Sequence, residues 1–312
     1  MSEAQVAGVP ESRRVPEVAR APDAAGVPVV PVPGRVGVVG GGRMGVGIAH
    51  AFLLAGSEVV ILERDAESAE RAQTALSTAA RRSVERSTTQ EDESALLARI
   101  DVTTDVNALG ASGLVIEAVP EDLDLKVSML TRIEAVLPGD AWLASNTSSL
   151  SIGLLAATLK RPDRFCGLHF FNPVPSSTLV EIVNGPQTST ALTDAARSWV
   201  HAIGKTPIVV KDSPGFASSR LGVVIALEAI RMLEDGVASA EDIDAAMVLG
   251  YKFPVGPLHL TDLVGLDVRL GIADYLHSTL GERFAPPALL REKVAAGQLG
   301  RKTGEGFFSW PE

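Results

Sequence analysis

A histidine inside a run of large apolar residues is the first chemical irregularity in this chain: His169 in CGLHFFNPVP, residues 166–175. Further on, Glu181 interrupts LVEIV, another apolar run that reads as a strand. A buried carboxylate without a partner is costly, so the two polar residues suggest each other. A carboxylate that accepts from one imidazole nitrogen fixes the tautomer and leaves the other nitrogen as a base toward an alcohol. Serines crowd ASNTSSLSI (144–152), where a hydroxyl can hydrogen-bond a reacting oxygen or cap a helix. Spacing does not select among Ser145, Ser148, Ser149 and Ser151. The absence of a G-x-S-x-G elbow argues against a serine hydrolase. His50, His201, His259 and His277 are read as structural or exposed, and no His or Cys cluster has metal-ligand spacing.

VGVVGGGRMGVGIA places Gly40, Gly42 and Gly45 in G-x-G-x-x-G register, after a β-branched run and at the head of a helical pattern. That context gives the motif its meaning. Gly40 permits a tight turn, Gly42 lets the backbone approach a pyrophosphate, and Gly45 lets helix pack on strand. The helix N-terminus then receives the phosphate charge. Glu63 ends the following strand, where its carboxylate can accept from ribose hydroxyls and would repel a 2′-phosphate. This favours NAD over NADP; Arg64 alongside is the one feature that would tolerate a phosphate. The competing reading, packing glycines with a surface glutamate, needs strand, glycines, helix and acid to coincide by accident. Beside a bound dinucleotide, a His–Glu pair would take an alcohol proton while hydride leaves for the nicotinamide.

Positioning these groups requires a sheet. From Arg35 onward the strands RVGVVG, EVVILE, LVIEAV, AWLASN, RFCGLHFF, TLVEIVNG and TPIVVKD alternate with helical stretches, the longest over 65–99. Short apolar strands separated by helices predict an α/β fold: a Rossmann-type, doubly wound parallel sheet with helices on both faces. Such sheets bind ligands beyond the carboxyl ends of their strands, where His169 and the serine cluster fall. At KDSPGF (211–216) the pattern turns wholly helical, which sets a boundary near residue 214. Residues 35–213 form the dinucleotide-binding domain and 214–312 an all-helical domain. Residues 1–34 hold Pro10, Pro16, Pro22, Pro28, Pro31 and Pro33 with almost no large side chains, and are expected to be a disordered leader. A net charge of −10 argues against a nucleic-acid surface. No apolar run reaches the roughly 18 residues of a membrane span. The lone Cys166 excludes an internal disulfide and suits a reducing compartment, the cytoplasm.

Taken in order and spacing, VGVVGGGRMGVGIA, IEAVPEDLDLKV, SNTSSLSI, GLHFFNPVP, LVEIV, KDSPGF, EDIDAAMVLGYKFPVGPL, TDLVGLDV and GRKTGEGFF resemble the 3-hydroxyacyl-CoA dehydrogenase family, including its 3-hydroxybutyryl-CoA dehydrogenases, from Arg35 to Trp310. The resemblance implies reversible NAD-dependent oxidation of a short-chain (3S)-3-hydroxyacyl-CoA to the 3-ketoacyl-CoA. It implies His169 as general base and Glu181 as its orienting partner, and it selects Ser148 as the hydroxyl facing substrate and nicotinamide. Family NAD-contacting positions fall on Gly40, Gly41, Gly42, Arg43, Met44, Gly45, Glu63, Glu121, Lys126, Ser148, Asn172 and Lys302. From the residues alone, Glu121 reads as a first-turn acid of a helix, and Lys126 and Lys302 as solvated charges. The family's asparagine after PGF is here Ser219, a shorter donor whose reach a water can extend. Arg86 and Arg82 are the candidates for CoA phosphates, weighed against plain solvated arginines. The resemblance also implies a homodimer through the helical domain and a substrate cleft between the domains. Two alternatives stand beside this reading: a related dehydrogenase acting on a sugar acid such as L-gulonate or on a carrier-protein thioester, and a non-catalytic NAD-binding protein.

Overall fold

Short β-branched runs separated by helical stretches fold as their alternation demands. A computed structural model of the chain describes residues 29–311. The strands are β1 (Arg35–Val39), β2 (Glu58–Leu62), β3 (Ile100–Thr103), β4 (Leu114–Glu117), β5 (Trp142–Ser145), β6 (Phe165–Phe170), β7 (Leu179–Asn184) and β8 (Thr206–Lys211). They form one sheet in the order β3-β2-β1-β4-β5-β6-β7-β8. Strands β1 to β6 run parallel, whereas β7 pairs antiparallel with β6 and β8 follows β7. The sheet is thus mostly, not wholly, parallel. The connection 171–178 explains the reversal: a parallel crossover needs about a dozen residues or more.

The helices of this domain are α1 (Arg43–Leu54), α2 (Ala66–Glu85), α3 (Glu93–Leu97), α4 (Leu123–Val136), α5 (Ile152–Ala156) and α6 (Thr190–Ala202). The stretch 65–99, expected as one helix, is therefore two. It breaks after Arg86, where Ser87 takes φ +54°, and restarts at Asp92, whose carboxylate accepts from Ala95 N. Strand β3, short and only half-buried, had no distinct signal. Period-two alternation sends Val36, Val38, Ile61 and Ile116 to one layer with Phe52, Leu76 and Trp199, and Val39, Val60 and Val115 to the other with Leu130, Ile133 and Leu155. Both faces are covered by helices, as a parallel sheet requires. Each large side chain so buried contributes about 1.5–3 kcal/mol.

After Lys211 the chain is helical: α7 (Ser218–Glu234), α8 (Ala240–Ala245), α9 (Pro257–Val264), α10 (Leu266–Leu280) and α11 (Ala288–Ala295). Ser239 caps α8 by accepting from Asp242 N. This half has its own core, including Val223, Leu227, Ile230, Leu258, Leu266, Leu276 and Leu290.

The last six residues assigned to the leader behave differently from that expectation. Val30 and Val32 pack on the core. Pro31 O accepts from Trp199 Nε1 at 3.0 Å, and Pro33 O from Ser57 Oγ at 2.8 Å. The carbonyls of a proline-rich segment are acceptors without matching donors, so a buried indole and hydroxyl can fix them. The remainder of the leader, residues 1–28, lies outside the described residues. Among the described residues no helix is long and apolar enough to cross a membrane, and no group of three or more His, Cys, Asp or Glu could hold a metal ion.

Candidate active site

The glycine turn follows β1 and opens α1. Gly40 takes φ +95°, and a Cβ there would lie 2.9 Å from the Ala118 carbonyl oxygen. A Cβ at Gly45 would lie 1.7 Å from Gly40 O, so no side chain fits beneath the turn. Gly42 has open space where its Cβ would be, a free approach for a phosphate group. Helix α1 has no side-chain cap and no acidic residue in its first turn, so no residue of the helix itself offsets its positive end. Arg43 and Met44 form that first turn. Glu63, beyond β2, accepts from Gly41 N at 2.6 Å, which sets its carboxylate against the turn. Arg64 is drawn aside by Asp65, with Nε 3.0 Å from Oδ2. The donors, the open Gly42 and the acid suit a dinucleotide.

His169 and Glu181 are cross-strand partners in the antiparallel β6–β7 pair. His169 Nδ1 lies 2.7 Å from Glu181 Oε2. The histidine is 4% exposed and the glutamate fully buried. The ring packs on Phe171 and Phe216, with centroids 4.5 and 5.7 Å away. Glu181 also accepts from Ser218 Oγ at 2.7 Å, Ser218 N at 2.9 Å and Ala217 N at 3.1 Å, all at the start of α7. Burial opposes ionisation of Glu181, but the bonds from His169 and Ser218 outweigh it and hold the carboxyl below the usual glutamate range. Ser218 is a residue that sequence reasoning passed over in favour of Ser219. The side chain of Ser219 makes no hydrogen bond to a described residue. A serine at a helix start was the available signal, but which of Ser218 and Ser219 meets the sheet depends on how α7 docks.

A second buried charged cluster lies at the end of β4, against the end of β5. Lys126, read from sequence as a solvated charge, is 1% exposed. Its Nζ donates to Glu117 Oε1 at 2.7 Å and to Val119 O at 3.1 Å, and lies 3.4 Å from Glu121 Oε2. Glu117, fully buried, also accepts from Ser145 Oγ at 2.5 Å and Val119 N at 2.7 Å. Glu117 was missed, although a carboxylate inside LVIEAV is the same anomaly as Glu181 inside LVEIV. Glu121 is not a first-turn acid either. The N-cap of α4 is Asp122, which accepts from Leu125 N. Glu121 Oε1 instead gathers Thr147 Oγ1 at 2.6 Å and Ser148 N, Ser149 N and Ser149 Oγ, each at 2.9 Å. Burial opposes its charge, but Lys126 and these donors prevail and keep it ionised below the usual range. The loop carrying Ser148 is thereby fixed through its backbone, while the Ser148 hydroxyl makes no bond to a described residue.

Because β1 to β6 are parallel, the glycine turn, Glu63, Glu121, Ser148 and His169 all stand at one sheet edge. Asn172 follows β6, exposed, before a cis bond to Pro173. Lys302 lies in the helical half and is paired with Asp267 at 2.6 Å. Arg82 and Arg86 are not drawn to this edge. A Cβ on Gly41 would meet Ala72 on α2, and the arginines lie about 15 and 21 Å farther along that helix. Both are exposed and without an ion-pair partner among the described residues.

Residues 35–213 match the model for the NAD-binding domain of 3-hydroxyacyl-CoA dehydrogenase, and residues 215–310 the model for its C-terminal domain. A 3-hydroxybutyryl-CoA dehydrogenase of Mycobacterium tuberculosis is 43% identical over 288 residues, 88% of this chain and 98% of that one. One from Bradyrhizobium diazoefficiens is 41% identical over 281 residues, 88% of this chain and 95% of its own. The crystal structure of (S)-3-hydroxybutyryl-CoA dehydrogenase from Ralstonia eutropha superposes with a TM-score of 0.85 at 41% identity, covering 90% of this chain and all of that one. With both domain models matched in order across the described fold, the chain belongs to the 3-hydroxyacyl-CoA dehydrogenase family.

Proposed function

We propose that the chain catalyses the reversible NAD-dependent oxidation of a (3S)-3-hydroxyacyl-CoA to the 3-ketoacyl-CoA, with 3-hydroxybutyryl-CoA as the short-chain substrate. The observation that carries this reading is the 2.7 Å contact between His169 and Glu181 at the sheet edge that also bears the glycine turn. The substrate class comes from the names of the relatives. His169 takes the hydroxyl proton on Nε2 while its Nδ1–H stays bonded to Glu181. Glu181 does not take that proton in turn, because four donors already occupy its oxygens. NAD, when bound, supplies the acceptor for the hydride leaving the carbinol carbon. Gly40 to Gly45, with Arg43 and Met44, receive its pyrophosphate, and Glu63 its ribose; Glu121, Lys126, Asn172 and Lys302 complete the set assigned from the resemblance. Ser148, on its fixed loop, hydrogen-bonds the reacting oxygen, with Ser219 as a further donor. Arg86 and Arg82 meet the CoA phosphates at the far end of α2.

The aspartate pairing of Arg64 supports NAD over NADP. The homodimer is supported by an apolar stripe: Leu260, Leu263 and Val264 on α9 are exposed at i, i+3 and i+4 spacing. Light scattering at micromolar concentration checks it, and a monomer rejects it. The buried, unpaired Cys166, its thiol pushed up to about 12 by burial, accords with a reducing cytoplasm. The decisive assays are reduction of acetoacetyl-CoA with NADH and with NADPH, and oxidation of free hydroxy acids such as L-gulonate with NAD. Absence of thioester turnover rejects the reading. His169→Asn is expected to lower kcat by about 10²–10⁴-fold. Unchanged activity in that variant would remove His169 as the base, and absence of turnover with every substrate would leave only NAD binding.

A further inference from the structure

Helix α7 is seventeen residues long, yet its N-cap, Ala217, supplies no side-chain cap. The acceptor at its head is Glu181, which comes from the sheet. The two oxygens of that carboxylate are used differently. Oε1 receives Ala217 N and Ser218 N, both backbone donors. Oε2 receives His169 Nδ1 and Ser218 Oγ, each at 2.7 Å. The terminal torsion of a glutamate is broad and nearly two-fold, so its own rotamer preference does not fix the carboxylate plane. Two donors on Oε1 anchor one end of the group but leave it free to turn about that end. Among the described residues, the Ser218 hydroxyl is the one donor other than the histidine that reaches Oε2.

We propose that Ser218 is a positioning residue for the reaction: its hydroxyl, carried by the helical domain, holds Glu181 Oε2 in line with His169 Nδ1. The side-chain hydrogen bond of Ser218 goes to Glu181, and the residue acts through that carboxylate. The base is thereby assembled from both halves of the chain, with β6 giving the imidazole, β7 the carboxylate and α7 the clamp. The docking of α7 on the sheet then becomes a condition of catalysis as well as of packing.

The inference rests on the His169–Glu181 reading, and the experiment separates the two. Ser218→Thr and Ser218→Val give side chains of the same shape that differ in the hydroxyl. With acetoacetyl-CoA and NADH saturating, Ser218→Val is expected to lower kcat about tenfold, the scale of one hydrogen bond to a charged group. Ser218→Thr is expected within about threefold of the parent, and NADH affinity within about twofold in both, since neither touches the glycine turn. In a Glu181→Gln background, adding Ser218→Val should change kcat by less than about twofold, because the effect has no other route. Equal losses for Thr and Val, an unchanged Val variant, or full multiplication of the two effects would each overturn the proposal. Should valine unfold the chain by circular dichroism, Ser218→Ala takes its place against Thr. His169→Asn, assayed in parallel, reports on the base itself: activity retained there sinks the underlying reading, whatever Ser218 does.

Discussion

Replacing Lys126 with methionine distinguishes a buried structural ion from a cofactor contact. Lys126 is 1% exposed and its partner Glu117 fully buried, so the substitution keeps most of the volume and strands a carboxylate. Breaking a buried pair in this way costs about 3–5 kcal/mol. Glu117 would retain Ser145 Oγ and Val119 N as donors, which sets the expectation near the lower end, about 3 kcal/mol. For a domain of this size that lowers the thermal midpoint by about 6–12 °C. The measurement is calorimetry or circular dichroism without any ligand, so that nothing bound contributes. Lys126→Met combined with Glu117→Gln should recover at least half of the loss, because the fully buried carboxylate is then gone and Glu121, 37% exposed, keeps its hydrogen-bond donors. A loss below about 1 kcal/mol in the ligand-free protein, together with weakened NADH binding, would refute the argument and make Lys126 a cofactor contact first.

Gly45→Ala is expected to abolish measurable NADH binding by calorimetry, since its Cβ would stand 1.7 Å from Gly40 O and push the turn away from the helix end. Gly42→Ala, where no atom lies within 4 Å, should fold normally, and a stability loss as large as that of Gly45→Ala would contradict the turn geometry. Glu181→Gln is expected to reduce kcat by about 10²–10⁴-fold with NADH affinity nearly intact; a large loss of NADH binding would remove Glu181 from its assigned role. The folded-state pKa of Glu181 lies below its unfolded value. Its ionic contribution to stability is therefore complete above about pH 4.3 and fades as pH falls through the lower, folded value. The stability gap between the parent and Glu181→Gln, read from urea titrations at several pH values, should narrow only below about pH 4.3. A gap independent of pH would show that the carboxylate contributes no charge-dependent stability.

The sequence alone determined whatever depends on local pattern. A glycine turn needs a strand before it and a helix after it, and VGVVGGGRMGVGIA carries all three. The change from alternating to wholly helical texture at KDSPGF marks where the sheet stops, close to the Lys211 end of β8. A histidine and a glutamate inside apolar runs mark themselves, because a polar group placed there must find a partner. What tertiary structure decided is which partner. Antiparallel pairing of β6 and β7 set His169 opposite Glu181, a register that neither run contains in itself. Lys126 reads as a surface charge until α4 is laid over the end of β4, where Glu117 waits in a strand that shows only one anomalous letter. The choice of Ser218 over Ser219 came from the docking of α7, and the anchoring of residues 29–34 from Trp199 and Ser57, far along the chain. Periodicity and turn chemistry act between neighbours and are written in the chain. Burial and charge pairing act across space, and exist only once the elements have been brought together.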